Sequence, residues 1–309
     1  MKVLMANRNP SSWIGGDAIK QQKVTEELIK LGIEVGTLNA DEMTLDDWNE
    51  IGKWDIVHAW NFSMSWVKLP LYAAFKMGKK MVSTMIYHDT DRFVTYEMQQ
   101  EFMNRMDACI YETESEVDRV RHHLKERNTF VVPNGVDAWW FEEDKGKVPF
   151  KRYVLTVGRI EPNKGQLETA EACRDLGITY VCIGSEVDRE YTDQLLAQGA
   201  VIYPPMEQKK LKRWYKNCAV YVQASKNETW GMAVDEAGTQ GVPIVISTGF
   251  ERNDIPDVIY CDHGNPDSIT HSILEGISQK RNEGFKLQLR KRSWAHVAKA
   301  YQKIYKEII

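Results

Sequence analysis

Apolar residues follow two alternating patterns along this chain. Short runs of β-branched and other apolar residues predict strands, and longer segments with apolar residues three or four positions apart predict helices. In the first half, the predicted strands are residues 2–6, 33–38, 54–59, 80–87, 108–111 and 129–132, and the predicted helices are residues 17–31, 69–77, 94–106 and 114–125. Because this is the spacing of βαβ units, we predict a mostly parallel sheet.

The same alternation starts again after a polar interruption at residues 133–135 and 142–147. Beyond it, the predicted strands are residues 153–157, 178–183, 201–203, 219–222, 243–247 and 258–260, and the predicted helices are residues 166–176, 190–197, 209–216, 229–240 and 267–278. We therefore predict two α/β domains, residues 1–145 and 146–284. The last segment, residues 285–309, has apolar residues at helical spacing and is predicted to be one amphipathic helix.

The composition excludes several classes of protein. With 43% hydrophobic and 27% charged residues, the chain is typical of globular domains and unlike a disordered or fibrous one. A formal net charge of −4 argues against strong non-specific binding of nucleic acid. No apolar run reaches the roughly 18 residues of a membrane helix, and the N-terminus turns polar too early for a signal peptide. The five widely spaced cysteines predict reduced, mostly buried thiols and a cytoplasmic location.

Charge is nevertheless unevenly distributed. The segment from Arg281 to Ile309 has a net charge of +6, which leaves −10 for the rest of the chain. Basic residues on an amphipathic helix usually form a solvated face. The alternative is contact with an anionic lipid surface, or with a phosphate-bearing acceptor such as nucleic acid. The sequence leaves both interpretations open.

Two adjacent glycines, Gly15 and Gly16, lie between the first predicted strand and the first predicted helix. Glycines allow a ligand to approach the backbone, and the helix N-terminus beyond them offers N–H groups that suit a phosphate. The spaced G-x-G-x-x-G pattern of dinucleotide sites is absent from this segment. A plain tight turn therefore remains an equal alternative.

A second candidate site opens the second half of the chain. Directly after the predicted strand 153–157, Arg159 and Lys164 lie five residues apart and are followed by Gly165 and a predicted helix. The planar fork of arginine donors and the point charge of lysine both suit a diphosphate at the carboxyl end of a strand. Surface salt bridges for both residues are the alternative.

The strongest signal is the segment around residue 230. Here the pattern predicts Glu228 at the start of a helix and Glu236 two turns further along the same face. The backbone N–H groups of Trp230, Gly231 and Met232 would then be free at the helix N-terminus, where an anion can bind. The two carboxylates could hold sugar hydroxyls on either side of a diphosphate.

Together these motifs resemble the retaining GT-B glycosyltransferases of family GT4 (glycosyltransferase group 1 type). The similarity is strongest over residues 130–260, where the motifs occur in the order and spacing of the family. They are Val132-Pro133-Asn134-Gly135-Val136-Asp137, Arg159 with Lys164-Gly165, Glu228 with Glu236, and Gly241-Val242-Pro243-Ile244-Val245. The resemblance implies two Rossmann-like, doubly wound parallel-sheet domains that face a central cleft, with the helix 285–309 packing back on the N-terminal domain.

The resemblance also implies roles for residues of this chain. Arg159 and Lys164 would neutralise the donor diphosphate as it leaves. Glu228 would bind hydroxyls of the donor sugar and Glu236 the nucleotide ribose, and residues 204–211 would line the nucleobase. His88 resembles the histidine of the N-terminal domain that lies beside the reactive face of the donor sugar. The remaining donor-binding positions are Gly15, Gly16, Trp230, Gly231 and Met232.

On the acceptor side, the resemblance places Asn61, Asp89 and Asp91 near the cleft, although a plain loop role for Asn61 is an equal alternative. Asp89-Thr90-Asp91 spells the D-x-D motif that binds a metal in other glycosyltransferase folds. GT-B enzymes usually rely on arginine and lysine instead, so we expect no metal. We also expect no cofactor, because the nucleotide-diphosphate sugar is a co-substrate.

The function implied is that of a retaining, metal-independent hexosyltransferase. A UDP-sugar such as UDP-glucose is the first expectation for the donor and GDP-mannose the second. The acceptor stays open among a saccharide, a lipid-linked glycan, a small molecule and a modified nucleic-acid base. Two alternatives remain: a nucleotide-sugar 2-epimerase of the same fold, and a non-catalytic module that binds nucleotide sugars. We expect a cytoplasmic protein, with peripheral contact to a membrane as a further possibility.

Overall fold

The computed structural model describes residues 1–7, 16–60, 68–84, 103–121, 128–250 and 252–309. The chain divides into two compact units. Unit 1 comprises Met1–Gly135 together with Ser293–Ile309, and unit 2 comprises Val136–Arg292. The first division thus falls before the predicted boundary at residue 145, and the second falls within the predicted last helix.

Unit 1 has a parallel sheet of six described strands. The strand order is β2-β1-β3-β4-β5-β6. The strands are β1 (Lys2–Asn7), β2 (Glu34–Asn39), β3 (Ile56–Trp60), β4 (Lys80–Thr84), β5 (Ala108–Tyr111) and β6 (Thr129–Val131). Strands β3 and β5 are buried along their whole length, as expected for a parallel sheet with helices on both faces.

The described helices of unit 1 are α1 (Gly16–Lys30), α2 (Leu45–Ile51), α3 (Lys68–Lys76), α4 (Glu114–Arg121) and, at the end of the chain, α11 (Trp294–Ile308). Helix α1 begins at Gly16, one residue before the predicted start. It ends at Lys30, one residue before the predicted end, and Gly32 follows with a φ of 79° that suits a glycine, while the Ile33 N–H bonds to the Leu28 carbonyl. Helix α2 was not predicted, because its seven residues are too few for a clear period.

Unit 2 repeats the architecture with a second parallel sheet, in the order β12-β11-β10-β7-β8-β9. Its strands are β7 (Tyr153–Val157), β8 (Thr179–Ile183), β9 (Val201–Tyr203), β10 (Val220–Gln223), β11 (Ile244–Ser247) and β12 (Ile259–Cys261). Its helices are α5 (Gln166–Asp175), α6 (Arg189–Ala197), α7 (Gln208–Asn217), α8 (Met232–Thr239), α9 (Pro266–Ser278) and α10 (Glu283–Arg290). The two parallel sheets confirm the predicted α/β class.

The predicted single helix over residues 285–309 is two helices. Helix α10 buries Phe285 and Leu289 in the core of unit 2, whereas α11 packs in unit 1. The break falls at a polar junction, where the Ser293 side chain accepts a hydrogen bond from the His296 N–H and caps α11. Helical periodicity continued through this junction in the sequence, which is why one helix was predicted.

Candidate functional site

The loop that follows β7 carries the two predicted cations, Arg159 and Lys164. It passes through a turn of 3-10 helix at Pro162–Lys164 and enters α5 through Gly165. Gly165 has a φ of 62°, and a Cβ at this position would collide with the carbonyl group of Ala224. Only glycine fits such a conformation without strain. The loop therefore packs directly against the chain that leaves β10.

The buried side chain of Gln166 fixes the backbone of this loop. Its Oε1 accepts the Glu161 N–H at 3.1 Å, and its Nε2 donates to the Arg159 carbonyl at 2.9 Å. The Arg159 side chain itself is 43% exposed and forms a 3.0 Å ion pair with Glu161. The arginine thus has an anchored backbone and an accessible guanidinium group.

Lys164 and Glu228 meet although 64 residues separate them in the chain. The lysine ammonium forms an ion pair with Glu228 Oε2, and the two side chains are 12% and 18% exposed. The same oxygen accepts a 3.0 Å hydrogen bond from Gln223, the last residue of β10. Strands β7 and β10 are neighbours in the sheet, so this pair lies at their carboxyl ends. Open parallel sheets bind ligands along that edge.

The predicted position of Glu228 at a helix start is wrong. Helix α8 begins at Met232, and Glu228 lies in an extended segment that pairs with Phe250. Its N–H donates to the Gly249 carbonyl at 3.1 Å. The predicted two-turn spacing between Glu228 and Glu236 along one helix face therefore does not exist. A glycine at 231 with a φ of 71° ends the extended segment, and no periodicity signals such a backbone change.

Gly231 is the N-cap of α8 and shapes the start of the helix. A Cβ at this position would collide with the ring of Phe250 and crowd Val234, so the site requires a glycine. Because Gly231 has no side chain, it provides no capping hydrogen bond to the first N–H groups of α8. The backbone of Trp230, Gly231 and Met232 thus lies at a helix N-terminus, where an anion is favoured.

Glu236, in the middle of α8, is only 8% exposed. Its Oε2 accepts a 2.7 Å hydrogen bond from Tyr215, and its Oε1 accepts a 2.9 Å bond from Gln208. Burial raises the pKa of Glu236 to about 7, against the opposing effect of these two hydrogen bonds. The carboxyl group therefore has a fixed orientation and a pKa near neutral pH.

Sequence reasoning missed a partly buried ionic cluster beside the start of α8. Asp235 forms ion pairs with Arg252 and with Arg292, and Asp254 pairs with the same two arginines. These four residues are spread over almost sixty positions of sequence, and each alone reads as an ordinary surface charge. The one available signal was Asp235, an acidic residue between the apolar residues of a helix that is otherwise buried.

In unit 1, Gly16 is the exposed first residue of α1, and its backbone lies at a helix N-terminus. This geometry is compatible with the predicted phosphate contact. The other predicted residues of the N-terminal half lie outside the described residues. They are Gly15, Asn61, His88, Asp89 and Asp91.

Unit 1 contains a second lysine–glutamate pair, which the sequence did not reveal. Lys20 of α1 is fully buried, and its ammonium lies 3.0 Å from Glu112. Asn134 donates a further 3.0 Å hydrogen bond to the same carboxylate oxygen. Burial lowers the pKa of Lys20, but the charge of Glu112, the hydrogen bond to it and the nearby Tyr301 and Glu116 together outweigh this effect, so the pKa is raised overall. The lysine is therefore a buried cation.

A buried histidine lies in the same unit. His58 Nδ1 is 2.6 Å from the hydroxyl of Tyr305 in α11, and its Nε2 is 2.8 Å from Thr84. Burial, together with the nearby charge of Lys20, lowers the pKa of His58 to about 3. The imidazole is thus neutral at physiological pH. Its hydrogen bond to Tyr305 links α11 to the strands of unit 1.

Three further observations concern the described residues as a whole. All five cysteines are buried free thiols, as predicted. No group of three or more His, Cys, Asp or Glu side chains is arranged to hold a metal ion within the described ranges. In the same part of the chain, no helix is both long and apolar enough to cross a membrane.

The sequence matches two protein families over adjoining segments. Residues 139–276 match glycosyl transferases group 1, and residues 39–140 match glycosyltransferase family 4. Among curated proteins, the D-inositol 3-phosphate glycosyltransferase of Mycolicibacterium gilvum (strain PYR-GCK) is 24% identical over 228 residues. That match covers 64% of this chain, and the chain spans only about half (52%) of the length of that relative.

Solved structures share the fold along almost the whole chain. HepE from Anabaena, in complex with UDP and glucose, has a TM-score of 0.80 at 14% identity, with 99% of this chain and 100% of that chain covered. Sucrose-phosphate synthase from Thermosynechococcus elongatus has a TM-score of 0.81 at 12% identity, with 99% and 98% covered. At such identities the similarity shows the fold alone. The two family matches, over residues 139–276 and 39–140, and the shared fold together support a GT4-type glycosyltransferase with the GT-B fold.

Proposed function

We propose that this protein transfers a hexose from a nucleotide-diphosphate sugar to an acceptor hydroxyl, with retention at the anomeric carbon and without a metal. The observation that carries the proposal is the accessible pair of Lys164 and Glu228 at the carboxyl edge of the unit 2 sheet. Arg159 belongs to the loop that ends at Lys164, and Glu228 leads into the open N-terminus of α8. Fixed positive charge and backbone dipoles are what a departing diphosphate requires.

The chemistry follows from these groups. The bond between the sugar C1 and the diphosphate oxygen breaks, and its electron pair stays on the diphosphate. Lys164, Arg159 and the N–H groups at the start of α8 stabilise the charge that develops there. The acceptor oxygen bonds to C1 from the same face, and its proton passes to the departing phosphate oxygen. Such a front-side reaction needs no pair of close carboxylates of the kind that retaining glycosidases use.

Two carboxylates would orient the donor. Glu228 already accepts hydrogen bonds from Lys164 and Gln223 through one oxygen, so its other oxygen is the one suited to sugar hydroxyls. Glu236 is held by Tyr215 and Gln208 in a fixed orientation, which suits the two hydroxyls of a ribose. His88 remains the residue proposed to lie beside the reactive face of the sugar.

UDP-glucose is the donor we propose first and GDP-mannose second. Support for a uridine nucleotide comes from HepE, a neighbour in fold that was solved with UDP and with UDP-glucose. We propose that the acceptor is a saccharide, a lipid-linked glycan, a small molecule or a modified nucleic-acid base, and these four classes form the acceptor panel tested below. Inositol 3-phosphate leads the small molecules, because the curated relative is named for it. We propose a cytoplasmic site of action.

The test is donor turnover. The protein is incubated with UDP-glucose, GDP-mannose or ADP-glucose, with and without the acceptor panel, and release of nucleoside diphosphate is measured with and without EDTA. We expect release from one donor, insensitivity to EDTA and a product whose anomeric proton shows retention by NMR. Conversion of UDP-glucose to an epimer without acceptor would instead identify an epimerase. Donor binding without release or transfer would identify a binding module.

A further inference from the structure

Two arginines lie over the ring of Trp230, the residue before the N-cap of α8. The guanidinium carbon of Arg252 is 4.0 Å from the ring centroid, and that of Arg292 is 4.8 Å from it. The indole Nε1 donates a 2.7 Å hydrogen bond to Asp235. Trp230 is 4% exposed, so these contacts are formed away from water, where a cation over an aromatic ring is attracted most strongly. The side chain is therefore held at several points.

Asp235 and Asp254 hold the two arginines in turn. Asp235 accepts from Arg252 at 2.7 Å and from Arg292 at 2.6 Å. Asp254 accepts two bonds from Arg252, at 2.8 and 2.9 Å, and one from Arg292 at 3.1 Å. Arg252 and Asp235 are buried, and an unpaired charge in their place would be strongly destabilising. The partly exposed Arg292 and Asp254 complete the cluster, and Trp230 is held within it.

This arrangement also orients a backbone peptide. Arg252 Nη1 lies 3.4 Å from the Trp230 carbonyl oxygen and donates to it. No described peptide bond is cis, and in a trans peptide the C=O and N–H groups point in opposite directions. The N–H of Gly231 therefore points away from the buried arginine. It is one of the N–H groups that open the N-terminus of α8.

Arg292 links the side chains of Trp230 and Asp235 to the end of unit 2. It is the last residue of that unit, and its carbonyl accepts the N–H of Val136, the first residue, at 2.9 Å. The side chain of Arg292 reaches Asp235 on the first turn of α8. The start of α8 is thus held by two sets of contacts. The arginine cluster contacts Trp230 and Asp235, and the segment before the helix is held by the pairing of Glu228 with Phe250.

We infer that Arg252 and Arg292 are positioning residues for the donor diphosphate. Acting through Trp230 and Asp235, they set the direction of the N–H groups at the start of α8, without touching the ligand. This inference rests on the proposed function, because it assumes that those groups bind the donor diphosphate. A purely structural cluster would affect stability alone. A positioning cluster also affects the preference for a diphosphate over a monophosphate.

The test compares UDP with UMP by isothermal titration calorimetry. Arg292→Met removes one arginine but leaves Asp235 paired with Arg252, and Arg290→Met is the matched control, an exposed arginine two residues away. We expect UDP affinity to fall about tenfold in Arg292→Met, the size of a helix N-terminus interaction with an anion, and UMP affinity to change much less. Arg290→Met should bind both nucleotides as the wild type does.

Two conservative variants distinguish an effect of side-chain position from an effect of side-chain charge. Trp230→Phe keeps every charge and the aromatic ring but removes the indole hydrogen bond to Asp235. Arg292→Lys keeps the charge but cannot bridge both aspartates in the same planar geometry. We expect both to lose part of the preference for UDP over UMP. These variants also answer the question if Arg292→Met does not fold, which circular dichroism and thermal unfolding will show.

Each outcome has a distinct meaning. Wild-type protein that binds neither nucleotide would overturn the inference together with the proposed use of a uridine donor. Wild-type binding of UDP, with an unchanged UDP-to-UMP ratio in folded Arg292→Met and Trp230→Phe, would overturn the inference and leave the proposed function intact. Full restoration of the ratio in Arg292→Lys would mean that charge acts at a distance, which also contradicts positioning.

Discussion

Lys20 with Glu112 in unit 1 and Lys164 with Glu228 in unit 2 are the same chemical pair, but they differ in what can reach them. Lys20 is 0% exposed and Glu112 6%, whereas Lys164 and Glu228 are 12% and 18% exposed. The first pair receives a further bond from Asn134, from within the core of its own unit. Both pairs lie at the carboxyl ends of parallel strands, since Glu112 directly follows β5, but only the second is partly exposed at this edge, where open parallel folds bind their ligands.

The difference shows that the residue types do not by themselves mark a ligand site. A buried pair has its charges balanced by protein groups, so removal of one partner is felt as lost stability. An accessible pair is only partly shielded from a ligand, so its removal is felt as lost binding or turnover. Helix α11, with Tyr305 bonded to His58, completes the buried polar region of unit 1.

The largest effect is expected for Lys20→Met. It leaves Glu112 buried without its cation, which typically costs about 3–5 kcal/mol of unfolding free energy. The double variant Lys20→Met with Glu112→Met should recover much of that loss, because apolar replacement of both partners is often near neutral. Urea unfolding measures both. A Lys20→Met protein as stable as the wild type would show that the pair is not a buried charge pair.

The second prediction concerns the accessible pair. Lys164→Met should lower kcat for donor turnover by about a hundredfold or more, as for other groups that stabilise a departing anion. Thermal stability should fall less than in Lys20→Met, because the side chains of Lys164 and Glu228 are 12% and 18% exposed and Lys20 is fully buried. Lys303→Met, which alters an exposed lysine of α11, is the control. Normal turnover by Lys164→Met would remove the basis of the proposed mechanism.

The third prediction concerns the pH dependence of UDP binding, which follows from the pKa of Glu236. Only its ionised form can accept two ribose hydroxyls, so UDP affinity should rise with pH through about 7, the pKa to which burial raises this group. Below that pKa, affinity should fall by up to about tenfold per pH unit. Glu236→Gln should bind UDP weakly at every pH and keep only the slope due to the nucleotide phosphate. Identical pH profiles for the two proteins would contradict the ribose role.

Titration of Glu236 also changes the stability of the unliganded protein, and this effect has the opposite pH dependence to that of UDP binding. The pKa of Glu236 in the folded protein lies above its ordinary value of 4.5, so its contribution to stability is fully present below about pH 4.5. That contribution is lost as the pH rises through about 7. The unliganded wild type should therefore lose stability relative to Glu236→Gln over this range, as measured by urea unfolding at a series of pH values.

The smallest effect is expected for Tyr305→Phe. It removes one buried hydrogen bond to His58 and should cost about 1 kcal/mol of unfolding free energy, with donor turnover unchanged. The matched variant Tyr215→Phe removes a similar hydroxyl bond, from Glu236 in unit 2. It should weaken UDP binding as well. If Tyr305→Phe altered turnover and Tyr215→Phe did not, the roles of the two regions would be reversed.

Much of the fold was predictable because strand propensity and apolar runs are local signals. The predicted strands 108–111, 153–157 and 201–203 have the same bounds in the structure. Local signals failed where tertiary contacts decide. Ser293 caps a new helix in the middle of a continuous helical pattern, and Gly231 turns the chain so that Glu228 stays outside α8.

The candidate site was predicted in part for the same reason. Lys164 and Glu228 were singled out by motif, and the structure brings them together. The residues that hold them in place were not singled out. Gln166 and Gln223 bond to residues five or seven positions away in irregular segments, at spacings that no helix or strand period predicts. Arg252 reaches Trp230 from 22 residues away, so that contact depends on the fold. Such pairings have no fixed spacing in sequence.

The central claim is that the accessible Lys164 pair, and not the buried Lys20 pair, contacts the donor diphosphate. Calorimetric titration of UDP into the wild type, Lys164→Met and the double variant Lys20→Met with Glu112→Met tests it directly, with each protein first shown to be folded. We predict that Lys164→Met weakens UDP binding about tenfold or more, as loss of a charge-assisted contact implies, and that the double variant binds as the wild type does. Equal affinity in the wild type and Lys164→Met would contradict the claim.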